Sequence, residues 1–140
     1  MKVKEIMTPE VVVASPKDTL QQAAQIMEQN DFGVLPVGED DRLVGMLTDR
    51  DITIRAVARG KAPDSCTVGE VMSNDIKFIY DDETLEDASR NMSELQVRRL
   101  PVLNRKKRLV GIVSLGDLAL NAKDNAGKAL KNVSEPAPGF

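Results

Sequence analysis

The chain has 140 residues, enough for one compact domain or for two half-domains sharing a core, and too few for two independent enzyme domains. Its 19 basic and 22 acidic residues are interspersed and leave a formal net charge of −3, so no sustained positive field exists to hold DNA or RNA as a macromolecular partner. Histidine is absent, which excludes Ser-His-Asp and Cys-His catalysis and any imidazole metal site.

The chain opens with Val3-Lys4-Glu5-Ile6-Met7-Thr8, followed by an apolar run, Val11-Val12-Val13, of strand length. No stretch approaches the ~20 apolar residues of a membrane span, and no signal-peptide pattern follows Met1; a cytoplasmic chain with no membrane partner is expected. Leu20, Ala23, Ala24 and Met27 fall at i, i+3, i+4 and i+7, the spacing of an amphipathic helix, with Asp18 or Thr19 as its N-cap. Two β-rich runs, Val34 to Val37 and Leu43 to Thr48, flank the polar turn Gly38-Glu39-Asp40-Asp41. A second helix is expected over about residues 50–59, and residues 61–67, with Pro63, Asp64 and Ser65, read as a linker. Cys66 lies in that polar connection, cannot form an intrachain disulfide, and has no basic cluster beside it; a spectator thiol is expected.

The same order then repeats. Val68-Gly69-Glu70-Val71-Met72-Ser73 matches the opening, Ile76 to Ile79 the first strand, and Leu85, Ala88, Met92 and Leu95 the helix. Leu100-Pro101-Val102 matches Leu35-Pro36-Val37 at a constant offset. One extra residue then enters at Asn104-Arg105-Lys106-Lys107, after which Arg108-Leu109-Val110-Gly111 matches Arg42-Leu43-Val44-Gly45 and Asp117 matches Asp51. Strands are expected at Arg99 to Leu103 and Leu109 to Ser114, and a helix from Leu115 to about Ala122. The organisation is therefore repeat 1 over residues 1–60, linker 61–67, repeat 2 over 68–122, and a polar tail 123–140 expected to be partly disordered. The fold class is α/β of the α+β type: each repeat has too little structure to cover its own sheet, so the two should pack about a pseudo-two-fold axis with their sheets apposed.

Leu-Pro-Val, a short turn, and then Gly-h-h-Thr/Ser-x-x-Asp, where h is apolar, occurs twice. The instances are Leu35-Pro36-Val37 with Gly45-Met46-Leu47-Thr48-Asp49-Arg50-Asp51, and Leu100-Pro101-Val102 with Gly111-Ile112-Val113-Ser114-Leu115-Gly116-Asp117. With the Val-x-Glu-h-Met-Thr/Ser opening of each repeat, the chain resembles a CBS-domain pair, or Bateman module, over about residues 1–122, and is most similar to small two-CBS proteins.

That resemblance implies ligand clefts formed by the Thr/Ser and Asp of one repeat together with the opening segment and pre-Leu-Pro-Val positions of the other. The chemistry is apt. A carboxylate accepts from both hydroxyls of a ribose, and a hydroxyl at a helix start donates to a phosphate. The first cleft would hold Thr48, Asp51, Ser73 to Ile76, Arg98 and Arg99. The second would hold Ser114, Asp117, Lys4, Thr8 to Val11, Gly33 and Val34. Many family members carry His-Arg where this chain has Arg98-Arg99, and Gly33-Val34 departs from that pattern, so phosphorylated ligands are expected to prefer the first cleft.

Plainer readings compete. Asp51 and Asp117 are also what a helix start favours, Arg98 and Arg99 suit a charged strand edge, and Met7, Met27, Met72 and Met92 suit a core. Asp49-Arg50-Asp51 is a poor cation site because an arginine divides its carboxylates, and no metal or catalytic residue is assigned. The reading is a non-enzymatic sensor of adenosyl-type ligands (AMP, ADP, ATP, NAD or S-adenosylmethionine) that requires no cofactor, forms a homodimer through helix faces and acts on a regulated protein partner. The alternative is a dimerisation or interaction scaffold with vestigial clefts.

Overall fold

The computed structural model describes residues 1–121, so the expected tail, 123–140, and the expected last residue of repeat 2 lie outside the described residues. Within them the chain divides into two compact units. One is contiguous, Val12–Ile76; the other is split, joining Met1–Val11 to the chain from Lys77 onward. Among the described residues no helix is long and apolar enough to cross a membrane.

In the contiguous unit, helix α1 (Leu20–Asn30) starts at Thr19, whose hydroxyl accepts the Gln22 N–H at 3.2 Å while Gln22 Oε1 accepts the Thr19 N–H at 2.9 Å. Leu20, Ala23 and Met27 are buried, whereas Ala24, expected on the same face, is exposed. Strands β1 (Val34–Glu39) and β2 (Arg42–Thr48) form an antiparallel hairpin in which Val34 faces Thr48 and Glu39 faces Arg42. Its two-residue turn places both Asp40 and Asp41 at positive φ, 53° and 61°, the twist a tight hairpin requires. The composite helix α2 follows as an α-turn Asp49–Asp51, a π-helical stretch Ile52–Ala56 and a 3-10 turn Val57–Arg59. The short helix α3 (Val68–Val71) ends the ordered elements of this unit.

The split unit repeats the plan. β3 (Ile79–Tyr80) pairs in parallel with β4 (Arg99–Leu103), which pairs antiparallel with β5 (Leu109–Ser114). Helix α4 (Leu85–Leu95) has a Thr84/Asp87 capping box, and α5 (Leu115–Asn121) follows β5 directly. The extra residue of repeat 2 reshapes the hairpin turn: Asn104 Oδ1 accepts the Lys106 and Arg108 N–H groups, each at 3.0 Å, and Lys107 takes φ 61°.

One expectation needs correction. Val11 to Val13 is not a strand, and the run Ile76 to Ile79 is reduced to Ile79–Tyr80. The prolines explain both. The Ala14 N–H donates to Pro36 O at 3.0 Å and the Gly38 N–H to Ala14 O at 2.9 Å, a single parallel bridge. Extending that ladder backwards would require an N–H from Pro36, or from Pro101 in the equivalent place, and proline has none. Val12 and Val13 are left partly exposed, 38% and 39%.

Each unit's core includes the opening segment of the other repeat. Val68 and Val71 are buried with Leu20, Leu35, Val37 and Leu47, while Val3 is buried with Leu85, Met92, Leu100, Val102 and Leu118. The docking is equivalent: the Val68 N–H donates to Asp18 O at 2.8 Å, and the Val3 N–H to Glu83 O at 2.9 Å. Fully burying one such valine contributes about 1.5–3 kcal/mol, which makes these segments core rather than ornament. The connection 61–67 is also packed, since the Gln21 N–H donates to Pro63 O at 3.0 Å and Cys66, expected in a polar connection, is a buried core residue.

Candidate functional site

Thr48 ends β2 and caps α2. Its hydroxyl accepts the Asp51 N–H at 3.0 Å, and Asp51 Oδ2 accepts the Thr48 N–H at 2.9 Å. In the split unit the Asp117 N–H donates to Ser114 Oγ at 3.1 Å, and the Ser114 N–H to Asp117 Oδ2 at 2.8 Å. The plain helix-cap role of these aspartates is therefore present twice. It does not exhaust them. Each hydroxyl acts there only as acceptor and keeps its proton to donate, and each carboxylate has its second oxygen outside the cap. The cap holds the side chains in one rotamer, half-buried at a strand-to-helix junction.

The opening segments arrive at these junctions by matched backbone bridges. The Met46 N–H donates to Ser73 O at 2.9 Å and the Ser73 N–H to Met46 O at 2.8 Å. The Thr8 N–H donates to Ile112 O at 2.8 Å and the Ile112 N–H to Thr8 O at 2.9 Å. Ser73 and Thr8 thus each sit beside the strand two residues before the capping hydroxyl. Close approach depends on Gly45 and Gly111: a Cβ at Gly45 would lie 2.6 Å from Met72 Sδ and 3.0 Å from Ser73 O, and one at Gly111 would meet Met7 Sδ and come within 3.1 Å of Thr8 O.

The remaining expected residues divide between the units. Thr48, Asp51, Ser73 and Ile76 share the contiguous unit with Gly33 and Val34; Ser114, Asp117, Lys4, Thr8 and Val11 share the split unit with Arg98 and Arg99. Val34 faces Thr48 across the first hairpin and Arg99 faces Ser114 across the second. Gly33 O accepts the Asp49 N–H at 3.0 Å, and Arg98 O accepts the Leu115 N–H at 2.8 Å. Lys4 is exposed in the 3-10 turn Val3–Glu5, while Ile76 and Val11 are half-buried at the ends of their segments.

Two neighbours of the Thr48–Asp51 junction were not legible in the sequence. Asp49 Oδ1 accepts the Arg50 N–H at 2.8 Å, placing a second carboxylate at the α2 start where the split unit has Leu115. Arg55 lies beside Asp51, its Nε 3.9 Å from Asp51 Oδ1, and its i, i+4 spacing was the available signal.

The CBS-domain family model matches twice, at residues 3–57 and 68–123. The chain belongs to the CBS-domain family. This CBS pair is 47% identical over 134 residues to the CBS domain-containing protein YhcV of Bacillus subtilis, covering 94% of each chain. It is 41% identical over 124 residues to Hypoxic response protein 1 of Mycobacterium tuberculosis, covering 88% of this chain and 86% of that one. The crystal structure of Hypoxic Response Protein I with two coordinated zinc ions is similar at TM-score 0.78, with 86% of this chain and 98% of that chain covered. Here there is no histidine, and among the described residues no group of three or more Cys, Asp or Glu is placed to hold a metal ion. CBSX2 in complex with AMP is similar at TM-score 0.74 and 27% identity, covering 88% of this chain and 96% of that one. The CBS pair of MJ0100 with 5′-methylthioadenosine and S-adenosyl-L-methionine is similar at 0.72 and 27%, covering 86% and 94%.

Proposed function

We propose that this CBS pair, with repeats over 1–60 and 68–122 joined by 61–67, is a non-enzymatic regulatory module of the cytoplasm that binds an adenosyl-type ligand. AMP, ADP, ATP, NAD and S-adenosylmethionine are the candidates. The carrying observation is the hydroxyl–carboxylate pair at both strand-to-helix junctions, Thr48 with Asp51 and Ser114 with Asp117, each in the same locked geometry. The complexes of CBSX2 with AMP and of MJ0100 with S-adenosyl-L-methionine support the ligand class. The other positions this reading assigns to ligand contact are Ser73, Ile76, Gly33 and Val34 in the contiguous unit and Lys4, Thr8, Val11, Arg98 and Arg99 in the split unit.

Two chains pair through helix faces, and the exposed Ile54 and Val57 of α2, 43% and 66% accessible, are apolar surface available for that pairing. Occupancy reaches a protein partner only if the ligand favours one arrangement of the module over another.

A scaffold with vestigial clefts is the second reading, favoured by caps that are complete without any ligand. Thermal unfolding of the full chain with each nucleotide separates the two. At a hundredfold excess over Kd, a native-state ligand stabilises by about 2.7 kcal/mol. A midpoint unmoved by every adenosyl ligand would leave the scaffold.

A further inference from the structure

We infer that Arg55 is a positioning residue that ties the Asp51 carboxylate to the docked segment 68–76 and makes the docking of that segment respond to a ligand held by Asp51; its ligand-dependent half rests on the adenosyl-ligand reading. Arg55 Nε lies 3.9 Å from Asp51 Oδ1, and Arg55 Nη1 donates to Val71 O at 3.3 Å and to Met72 O at 3.4 Å. Val71 and Met72 are the last residue and the C-cap of α3, where carbonyls lack helical partners and carry partial negative charge. The next residue, Ser73, is the one bonded twice to Met46. One guanidinium therefore spans the junction carboxylate and the segment docked beside it.

The two carboxylate oxygens of Asp51 have separate tasks. Oδ2 accepts the Thr48 N–H, so Oδ1 is the oxygen that faces Arg55 and remains for a ribose hydroxyl. A diol donating to Oδ1 takes up part of the negative charge that attracts Arg55. The guanidinium then commits to the Val71 and Met72 carbonyls, and the segment is held more firmly. Repeat 2 is built differently. Asn121 stands in the corresponding place, is uncharged, and donates to Asp117 O at 2.8 Å within its own helix. The response is therefore confined to the contiguous unit.

The test is amide hydrogen exchange on the full chain, reading Met46 and Ser73 against Thr8 and Ile112 as an internal reference, with AMP as the probe. Without ligand, Arg55→Met should speed exchange at Met46 and Ser73 by about fivefold, the scale of a weak, partly exposed charge-assisted contact, and leave Thr8 and Ile112 unchanged. Arg55→Lys should restore part of the protection. Wild-type rates at Met46 and Ser73 in Arg55→Met overturn the tie. With saturating AMP, the wild type should slow more at Met46 and Ser73 than at Thr8 and Ile112. Arg55→Met should still bind AMP by calorimetry and lose that difference; a difference that survives overturns the coupling. Absence of AMP binding to wild type removes AMP from the candidate ligands and overturns the coupling to it, while the ligand-free arm still decides the tie.

Discussion

The sulfur of Met7 occupies the position that a side chain at Gly111 would take. Met72 stands in the same relation to Gly45, so each docked segment is keyed to a glycine of the hairpin it packs against. Gly45→Ala and Gly111→Ala should each destabilise by about 1–3 kcal/mol, because each methionine must give up its packed position beside a Ser73 or Thr8 carbonyl that is fixed by its bridge. Urea unfolding checks this, and adding Met7→Ala to Gly111→Ala should recover part of the loss. Additive losses in that double-mutant cycle would mean that the sulfur contact is unimportant.

The cap and ligand roles of Asp51 are separable. Asp51→Asn keeps a side-chain oxygen for the Thr48 N–H and should unfold near the wild-type midpoint, whereas Thr48→Ala should lose about 1 kcal/mol as a missing N-cap. In ligand binding the asparagine should nonetheless be impaired, having lost the charge that strengthens a bond to a ribose hydroxyl. Unimpaired AMP binding by Asp51→Asn, measured calorimetrically, would leave this aspartate as a cap alone.

Phosphorylated ligands should depend more on Asp51 and on Arg98 and Arg99 than on Asp117. Asp51→Ala and Arg99→Ala should each cost roughly 1.5–3 kcal/mol in ATP binding, and Asp117→Ala less. Asp49 opposes this preference by placing a carboxylate at the same helix start, so Asp49→Asn should strengthen ATP more than adenosine. Titrations in which Asp117→Ala is the more damaging variant would reverse the assignment.

Three carboxyls make stability sensitive to acid. Hydrogen bonds from Thr67 hold Glu70 below the ordinary range, those from Arg105 do so for Asp82, and those from Thr84 for Asp87. A carboxyl whose folded-state pKa is lowered contributes stability that is complete above its unfolded value, about 4, and is lost as the pH falls through the folded value. The urea midpoint should therefore be flat from pH 7 to about 5 and decline below about 4. Asp82→Asn with Glu70→Gln should flatten the decline.

Burial, and then the charge of Glu70, pushes the Cys66 thiol up. It should react slowly with a disulfide reagent at pH 8, at a rate that follows unfolding, and rapidly in denaturant. Prompt labelling of the native chain would contradict its place in the core.

Much of the fold was legible because the signals were local and doubled. The Leu20, Ala23, Met27 spacing and its repeat-2 match locate α1 and α4, and β4 and β5 fall on the expected residues. Val11 to Val13 misled because β-propensity says nothing of the partner strand, and the partner's proline supplies no N–H. The burial of Cys66 was not legible, because its sequence neighbours are polar while its core includes Leu20 and Val68. The junction residues Thr48, Asp51, Ser114 and Asp117 were readable from a short motif. Arg55 was not, since the carbonyls it reaches are brought to it only by the docking of 68–76.

That docking also orders events during synthesis. Everything the contiguous unit needs lies between Val12 and Ile76, so it has its complete set of core residues while part of the split unit is still unwritten. Residues 1–11, made before any of it, have no berth until Ile112 has emerged. In the interval Val3, Ile6 and Met7 stay uncovered on a tether fixed to a finished neighbour. A segment made before the contiguous unit thus finds its place after it, and the nascent chain must carry that unsheltered apolar stretch until the second hairpin has been made.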